Sequence, residues 1–138
     1  MFSELFEGAE VVSVYTRAQA IEDGVLVDVS ELARERGYKF PVAVTSAVWE
    51  DCIAWADEDS KRQGWPQDQK GRLWDVLNMA ALATRSPAAM LAEDRCRVTL
   101  YRVPRHGKAR IELVDLVMVI GPGDDPAPVM TIMFPDED

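Results

Sequence analysis

The sequence predicts an α+β fold: a C-terminal antiparallel β-meander of three strands, which N-terminal strands could extend, packed against two long helices and two or three short ones. Three observations indicate this class. Two central segments repeat apolar residues at helical spacing, and the last third of the chain alternates apolar and polar residues. The length of 138 residues, with 48% hydrophobic and 28% charged residues, fits a single globular domain over residues 1–138.

The N-terminal part is expected to contain short elements. The apolar run Glu10–Tyr15 predicts a first strand. A short helix over about 17–23 follows, because the sequence Thr16-Arg17-Ala18-Gln19 matches a capping box and Gly24 suits the end of a helix. Residues 25–27 then predict a second strand.

A second short helix is expected next, capped by Asp28 or Ser30 and ended by Gly37. The segment Tyr38–Val44 is expected to be extended. Pro41 within it favours an edge strand or a short connector, because proline has no amide hydrogen to donate to a neighbouring strand.

Two long helices are predicted in the middle of the chain. The first runs from Thr45 or Ser46 to about Arg62, and Gly64-Trp65-Pro66 interrupts the chain after it. The second runs from about Asp68 to Ala83, and its broad apolar face indicates a deeply buried helix. The apolar positions of the first are Val48, Trp49, Cys52, Ile53 and Ala56; those of the second are Leu73, Trp74, Val76, Leu77, Met79, Ala80, Ala81 and Leu82.

The C-terminal third is predicted to be mostly strand. Ser86-Pro87 first opens a short helix to about Glu93. Three strands follow, joined by a hairpin loop over 104–108 and a turn over 121–126; they span 95–103, 110–120 and 129–134.

The net charge of −9 conceals a segregation along the chain. Residues 1–60 hold 13 acidic and 4 basic side chains, and residues 61–110 hold 4 acidic and 11 basic ones. Residues 111–138 hold 7 acidic side chains and none that is basic. The overall charge argues against general binding to nucleic acid or to membrane surfaces, because both are polyanions. The basic middle segment weakens that exclusion locally.

The sequence predicts a cytoplasmic protein without a cofactor. Its first residues carry acids where a secretory signal would carry basic residues, and the longest apolar stretch, Leu113–Ile120, is too short to span a bilayer. Cys52 and Cys96 stand alone, without a second ligand at metal spacing, so we expect two buried free thiols and no metal site.

No catalytic signature is present, and we expect a non-enzymatic protein. His106 is the single histidine and has neither a Gly-x-Ser-x-Gly motif nor a flanked cysteine with which to form a catalytic group. A small enzyme with a site near Tyr15 and Arg17 stays open as an alternative, because a strand that meets a helix N-terminus suits an anion.

Two charged surfaces are the candidate binding sites. Acidic residues near the C-terminal end of the first long helix oppose the helix dipole, which suggests a recognition surface that imitates phosphates. This acidic face consists of Glu50, Asp51, Asp57, Glu58 and Asp59. A basic hairpin is the alternative and could bind a phosphate backbone or an acidic partner. It consists of Arg102, Arg105, Lys108 and Arg110, with Arg95 and Arg97 on the strand before it.

Several segments resemble a family of short bacterial proteins that plasmids, integrative conjugative elements and phages encode. They are SVYTRAQAIEDGVLVDVSELARERGYKFPVAVTSAVWEDCIAW (13–55), DEDSKRQ (57–63), GRLWDVLNMAA (71–81), YRVPRHGK (101–108) and VIGPGDDPAPVMTIMFPDED (119–138). The resemblance brings no catalytic or binding residue. It implies a mobile-element setting, in which small acidic proteins often inhibit restriction or CRISPR systems.

The charge pattern and the resemblance together predict an interaction protein of a mobile element. We expect it to inhibit a host defence system, as an anti-CRISPR or anti-restriction protein, by placing the acidic face in a basic groove of a protein partner. A nucleic-acid-binding accessory factor that uses the hairpin over 102–110 is the alternative, with DNA or RNA as its partner. No membrane partner is expected.

Overall fold

A mixed six-stranded sheet forms the centre of the fold. The computed structural model describes residues 15–137, in which the strand order is β1-β2-β6-β5-β4-β3. The strands are β1 (Leu26–Asp28), β2 (Val42–Thr45), β3 (Met90–Ala92), β4 (Arg95–Arg102), β5 (Glu112–Pro122) and β6 (Pro128–Met133). The helices are α1 (Arg17–Glu22), α2 (Ser30–Arg36), α3 (Ser46–Val48, continued by a π-helical turn over Trp49–Ile53), α4 (Asp57–Gln63) and α5 (Gln69–Ala83). The predicted α+β class is confirmed.

Strands β4, β5 and β6 form the predicted antiparallel meander. Val98 lies opposite Leu116 in its register, and Met118 lies opposite Ile132. These four side chains share one face of the sheet, because alternate residues of a strand point the same way. All four are fully buried, so the alternation in the sequence correctly marked the core face.

The N-terminal strands extend the meander, as the sequence allowed. β1 pairs antiparallel with β2, and β2 pairs parallel with β6, with Val42 beside Met130. Of the two expectations for Pro41, the edge strand is wrong, since β2 lies inside the sheet, and the short connector is confirmed, since residues 38–41 join α2 to β2. Pro41 immediately precedes the strand, where its missing amide hydrogen costs no ladder bond, and its carbonyl accepts the Met130 amide at 2.9 Å.

Both predicted short helices form, and the predicted N-terminal cap of α1 is confirmed. The Gln19 amide donates to the Thr16 hydroxyl at 3.0 Å, and the Thr16 amide donates to the Gln19 side chain at 2.9 Å, which completes the capping box of α1. The expectation that Asp28 or Ser30 caps α2 is wrong, because Val29 occupies the N-cap position and makes no side-chain cap bond, whereas Ser30 is already the first residue of the helix. Gly37 ends α2 with a φ of 110°, a left-handed conformation that glycine adopts without strain. The strand predicted over Glu10–Tyr15 lies outside the described residues except for Tyr15, which is not in a strand.

The predicted continuous helix from Thr45 or Ser46 to Arg62 is wrong. The chain passes through the π-helical turn after α3, becomes extended at Ala54 and Ala56, and starts α4 at Asp57. Two side chains form hydrogen bonds with the backbone groups that the break leaves without helical partners. Arg72 donates to the Ile53 carbonyl at 3.1 Å, and the Ala56 amide donates to the carboxylate of Asp59 at 2.8 Å.

The second long helix, α5, is confirmed and packs one face against the meander. Asp68 caps it by accepting the Gly71 amide at 2.6 Å. Its buried face comprises Arg72, Leu73, Val76, Leu77, Ala80 and Ala83. The predicted broad burial is not observed, because Trp74 is 39% exposed and Leu82 is 47% exposed.

The short helix predicted from Ser86 to about Glu93 is replaced by two smaller elements. A 3-10 turn covers Pro87–Ala89, and the edge strand β3 follows it. Met90 pairs with Cys96 of β4, so residues Met90–Ala92 form hydrogen bonds with the edge of β4 and become part of the sheet. A second 3-10 turn, Pro135–Glu137, follows β6. Within residues 15–137 no helix has the length and apolar character needed to cross a bilayer.

Candidate functional site

The break in the helix changes the setting of the predicted acidic face. Glu50 and Asp51 lie in the π-helical turn, whereas Asp57, Glu58 and Asp59 form the first turn of α4. Carboxylates at a helix N-terminus are favoured by the helix dipole. The expectation that Asp57, Glu58 and Asp59 oppose the dipole at a C-terminal end is therefore wrong, and the position of these three acids requires no functional explanation.

Asp59 is the centre of this region and is only 3% exposed. Its carboxylate accepts hydrogen bonds from the Ala56 amide and from the guanidinium groups of Arg62 and Arg105, the last at 2.8 Å. Burial by itself raises the pKa of this carboxyl. The amide and the two cations outweigh burial and lower the pKa to about 2. Asp59 is thus a structural anion rather than an available recognition group.

The basic hairpin meets the acidic face in the fold. Arg102, whose side chain is 12% exposed, donates to both carboxylate oxygens of Asp51 at 2.9 and 3.0 Å and to Glu112 at 2.9 Å. Arg105 contacts Asp59 and, at 3.5 Å, Glu50. Burial lowers the pKa of Arg102, but its bonds to the two carboxylates outweigh burial and raise it. Two arginines of the predicted basic hairpin are thus paired with Glu50, Asp51 and Asp59 of the predicted acidic face. Asp57 and Glu58 of that face are exposed and form no ion pair within residues 15–137.

We call these paired groups the ion-pair network: Glu50, Asp51, Asp59, Arg62, Arg102, Arg105 and Glu112. Four hydrogen bonds to backbone carbonyls also hold the hairpin against α4 and the loop after it, one from Arg62, two from Gln63 and one from Trp65. The Gln63 amide donates to the Pro104 carbonyl at 2.8 Å, and the half-buried Trp65 donates through its indole to the Ala109 carbonyl at 3.2 Å. Trp65 therefore helps to fix the hairpin in place.

Arg72 of α5 supports the network from beneath and is 4% exposed. Its guanidinium donates to the carbonyls of Ile53 and Val103 at 3.1 and 2.9 Å and lies 4.5 Å from the ring centroid of Trp55. Burial lowers its pKa. One cation thereby joins the π-helical turn to the base of the hairpin. No feature of the sequence indicated this role, because the spacing of apolar residues identifies buried apolar positions and does not identify a buried arginine.

The other predicted basic residues do not gather into one patch. His106, Lys108 and Arg110 are exposed on the hairpin, and Arg110 lies 3.9 Å from Glu112. Arg95 begins β4, about 23 Å from Arg102 at the usual rise of a strand. Arg97 lies on the face of β4 opposite the core. The structure therefore separates Arg95 and Arg97 from the hairpin.

The junction near Tyr15 and Arg17 is occupied by another part of the chain. The carboxylate of Asp124 accepts the amides of Arg17 and Ala18 at 2.6 and 3.0 Å, so a side chain of the protein fills the helix N-terminus. The Arg17 guanidinium donates to Thr131, and the Tyr15 hydroxyl donates to Asp23. An open cleft of about 320 Å³ remains beside Arg17 and Asp124.

The thiols are free and buried, as predicted. Neither Cys52 nor Cys96 forms a disulfide. Burial, with a smaller contribution from Asp51, raises the pKa of Cys52 to about 12, and burial raises that of Cys96. Such thiols are poor nucleophiles because the thiolate is the reactive form. Among residues 15–137 no three His, Cys, Asp or Glu side chains form a group that could hold a metal ion.

An acidic cleft that sequence reasoning missed lies between α2, the π-helical turn and the start of α5. It has a volume of about 460 Å³. Its rim carries Asp28, Glu31, Glu35 and the basic residue Lys70, and its floor is formed by Val29, Leu32, Trp49 and Leu73. The only signal in the sequence was the pair of glutamates four residues apart on α2. The opposing wall comes from residues that are remote in sequence.

Glu31 and Glu35 differ from the acids of the ion-pair network. Both are exposed, and neither makes a hydrogen bond or ion pair with any residue in the described part of the chain. Like charges four residues apart on a helix repel by roughly 0.2–0.5 kcal/mol. Asp28 instead accepts bonds from the amide and hydroxyl of Ser30, at 3.1 and 2.6 Å.

Comparison with curated proteins and with solved structures gives no match for this chain. A family profile does match it, over residues 2–138, and that family is described as one of unknown function. The match covers nearly the whole chain. The protein therefore belongs to the DUF6573 family.

Proposed function

We propose that this protein is a non-enzymatic interaction protein that binds a basic surface of a protein partner through the acidic cleft. The observation that carries the proposal is the pair Glu31 and Glu35, which stand without a partner in residues 15–137 beside an apolar floor. Charged groups at a rim steer and orient a partner, while a buried aromatic or aliphatic centre supplies most of the affinity.

The floor of the cleft suits a side chain that is long, cationic and partly apolar. Leu32 and Leu73 are each 9% exposed, and Trp49 is half-buried beside them. An arginine or lysine can place its methylene groups along such a floor and its charge near the carboxylates, and a tryptophan ring attracts a cation. The charge of −9 for the whole chain would speed association with a basic protein.

Basic grooves lined by arginine and lysine are typical of enzymes that handle nucleic acid. The resemblance to mobile-element proteins favours a host defence enzyme as the target class. We therefore propose inhibition of a CRISPR or restriction effector, with the acidic cleft taking the place of a nucleic-acid backbone. This retains the acidic recognition predicted from the sequence and moves its centre from Asp57, Glu58 and Asp59 to α2.

The alternatives draw less support from the geometry. A hairpin that binds nucleic acid would rely on Lys108 and Arg110, since Arg102 and Arg105 already pair with carboxylates. An enzyme site near Tyr15 and Arg17 would have to use the cleft beside Asp124, whose carboxylate is already bound to two backbone amides.

The test is direct binding of the full chain to purified CRISPR and restriction effectors, each with and without its nucleic acid. We expect the protein to bind an effector and nucleic acid to displace it. The double variant Glu31→Lys with Glu35→Lys should bind that effector at least tenfold more weakly. Glu22→Lys with Glu93→Lys is the matched control, because it changes the net charge equally at exposed acids outside the cleft. Equal weakening by both double variants would contradict the proposed cleft, as would the absence of binding to every effector.

A further inference from the structure

A second cleft, with the opposite charge, lies where α2 and α5 both end. Its volume is about 270 Å³. Among residues 15–137, three cationic side chains line it, Arg36 from α2, Lys39 from the following loop and Arg85 from the segment after α5, and no acidic residue of that range does. We call it the basic–aromatic cleft. The cleft is therefore positively charged, although the chain as a whole has a net charge of −9.

The cations of this cleft are available, in contrast to those of the hairpin. Lys39 and Arg85 are exposed and form no ion pair with residues in the range 15–137. Arg36 donates through Nε to the Asn78 side chain at 2.9 Å, which orients the guanidinium. Its two terminal nitrogens make no hydrogen bond within residues 15–137. Cations near helix C-termini offset the helix dipole, but that role does not require them to surround a cleft.

Aromatic rings stand beside these cations. Phe40 is 40% exposed, although a phenyl ring gains most by burial. Tyr38 lines the same cleft, and its hydroxyl donates to the Leu77 carbonyl at 2.6 Å, which fixes one wall to α5. An exposed ring next to several cations is the arrangement by which proteins stack a base and neutralise its phosphates.

We propose that the basic–aromatic cleft binds single-stranded nucleic acid, with one base stacked on Phe40 and the adjoining phosphates held by Arg36, Lys39 and Arg85. The volume is slightly below the usual range of about 300–1,000 Å³ for drug-sized ligands, which suits a single base. Backbone contacts and stacking carry little sequence information, so binding is expected for any unpaired sequence. This inference is independent of the acidic cleft, which lies at the start of α5, whereas the basic–aromatic cleft lies at its end.

The experiment is fluorescence anisotropy of a labelled ten-nucleotide poly-dT strand with the full chain across a range of salt concentrations. With three phosphates contacted, the logarithm of the binding constant should fall with the logarithm of salt with a slope of about −2. Phe40→Ala should weaken binding about tenfold, because it removes a stacking surface. Lys39→Glu with Arg85→Glu should abolish binding at moderate salt.

Lys108→Glu with Arg110→Glu is the matched control, because it changes the net charge by the same amount on the exposed part of the hairpin. It should leave most of the binding intact. A larger loss from this control than from the cleft variant, or unchanged binding by Phe40→Ala, would overturn the assignment. So would an absence of binding at 50 mM salt. AMP that binds as tightly as the strand would also overturn it, because the site would then recognise a mononucleotide.

Discussion

Asp59 on α4 and Glu35 on α2 are both carboxylates on short helices, yet their surroundings in the fold are opposite. Asp59 is buried among the Ala56 amide, Arg62 and Arg105, whereas Glu35 stands at the rim of an open cleft without a partner in residues 15–137. The first carboxylate holds two parts of the chain together. The carboxylate of Glu35 forms no such link within residues 15–137. Acidic residues therefore have to be sorted by their partners, rather than by their density in the sequence, before any is assigned to recognition.

The largest effect on stability should come from Arg72, which supports the ion-pair network. Arg72→Met would leave the carbonyls of Ile53 and Val103 without a donor inside the protein, so we expect a loss of about 3–5 kcal/mol in the free energy of unfolding, measured by urea denaturation. Lys70→Met, at an exposed position of the same helix, is the control and should change little. A small loss for Arg72→Met would show that the network does not depend on this cation.

Asp59 should produce the next largest effect and one that depends on pH. Asp59→Asn should lower Tm by several degrees at pH 7, because two guanidinium groups lose their carboxylate, whereas Asp57→Asn at an exposed position should not. The native pKa of about 2 lies below the ordinary value of 3.8, so the carboxylate stabilises the fold above about pH 4 and loses that effect as pH falls toward 2. The difference in Tm between wild type and Asp59→Asn should therefore shrink over that interval. A difference that persists undiminished at pH 2 would contradict the proposed ionic role.

A double-mutant cycle should distinguish the partly buried pair from an exposed one. Asp51→Asn and Arg102→Gln should show a coupling energy of about 1 kcal/mol, because the guanidinium contacts both oxygens of Asp51 and is 12% exposed. The same cycle on Arg110 and Glu112, which lie 3.9 Å apart with Arg110 68% exposed, should give less than about 0.5 kcal/mol. Equal coupling in both cycles would mean that burial does not strengthen the network.

The smallest effect on stability should come from the acidic cleft. Glu31→Gln with Glu35→Gln should change the free energy of unfolding by no more than about 0.5 kcal/mol, and toward greater stability, because the substitution removes a repulsion. Urea denaturation at low salt measures this most sensitively. A destabilisation comparable to that of Asp59→Asn would indicate that the two glutamates are part of the fold, and the contrast between the network and the cleft would then disappear.

Elements with strong local signals were predicted well. The capping box at Thr16, the left-handed glycine at position 37 and the alternation of Cys96, Val98 and Leu100 each specify structure through neighbours close in sequence. The helix break at Ala54 and Ala56 could not be predicted in this way. The segment contains no proline or glycine. The bond from the Ala56 amide to Asp59 is local, but the Ile53 carbonyl is satisfied by Arg72, which lies 19 residues further along the chain.

The candidate sites were predicted less well, for the same reason. The sequence identified charged segments, but their availability depended on pairing between residues such as Asp51 and Arg102, which are 51 positions apart. Both clefts have walls from elements that are remote in sequence, so neither had a local pattern. The exposed glutamate pair on α2 was visible in the sequence. Nothing there separated it from the other acids.

The sequence by itself determined the α+β class, the antiparallel meander, the capping box of α1, the glycine that ends α2 and the burial of both thiols. These features follow from periodicity and from side chains that bond to nearby backbone groups. Only the tertiary structure decided where the middle helix breaks and which charges remain available, because a salt bridge depends on distance in space and carries no periodic signature. The net charge of −9 is thus divided in the fold between carboxylates that hold the hairpin in place and carboxylates that face solvent.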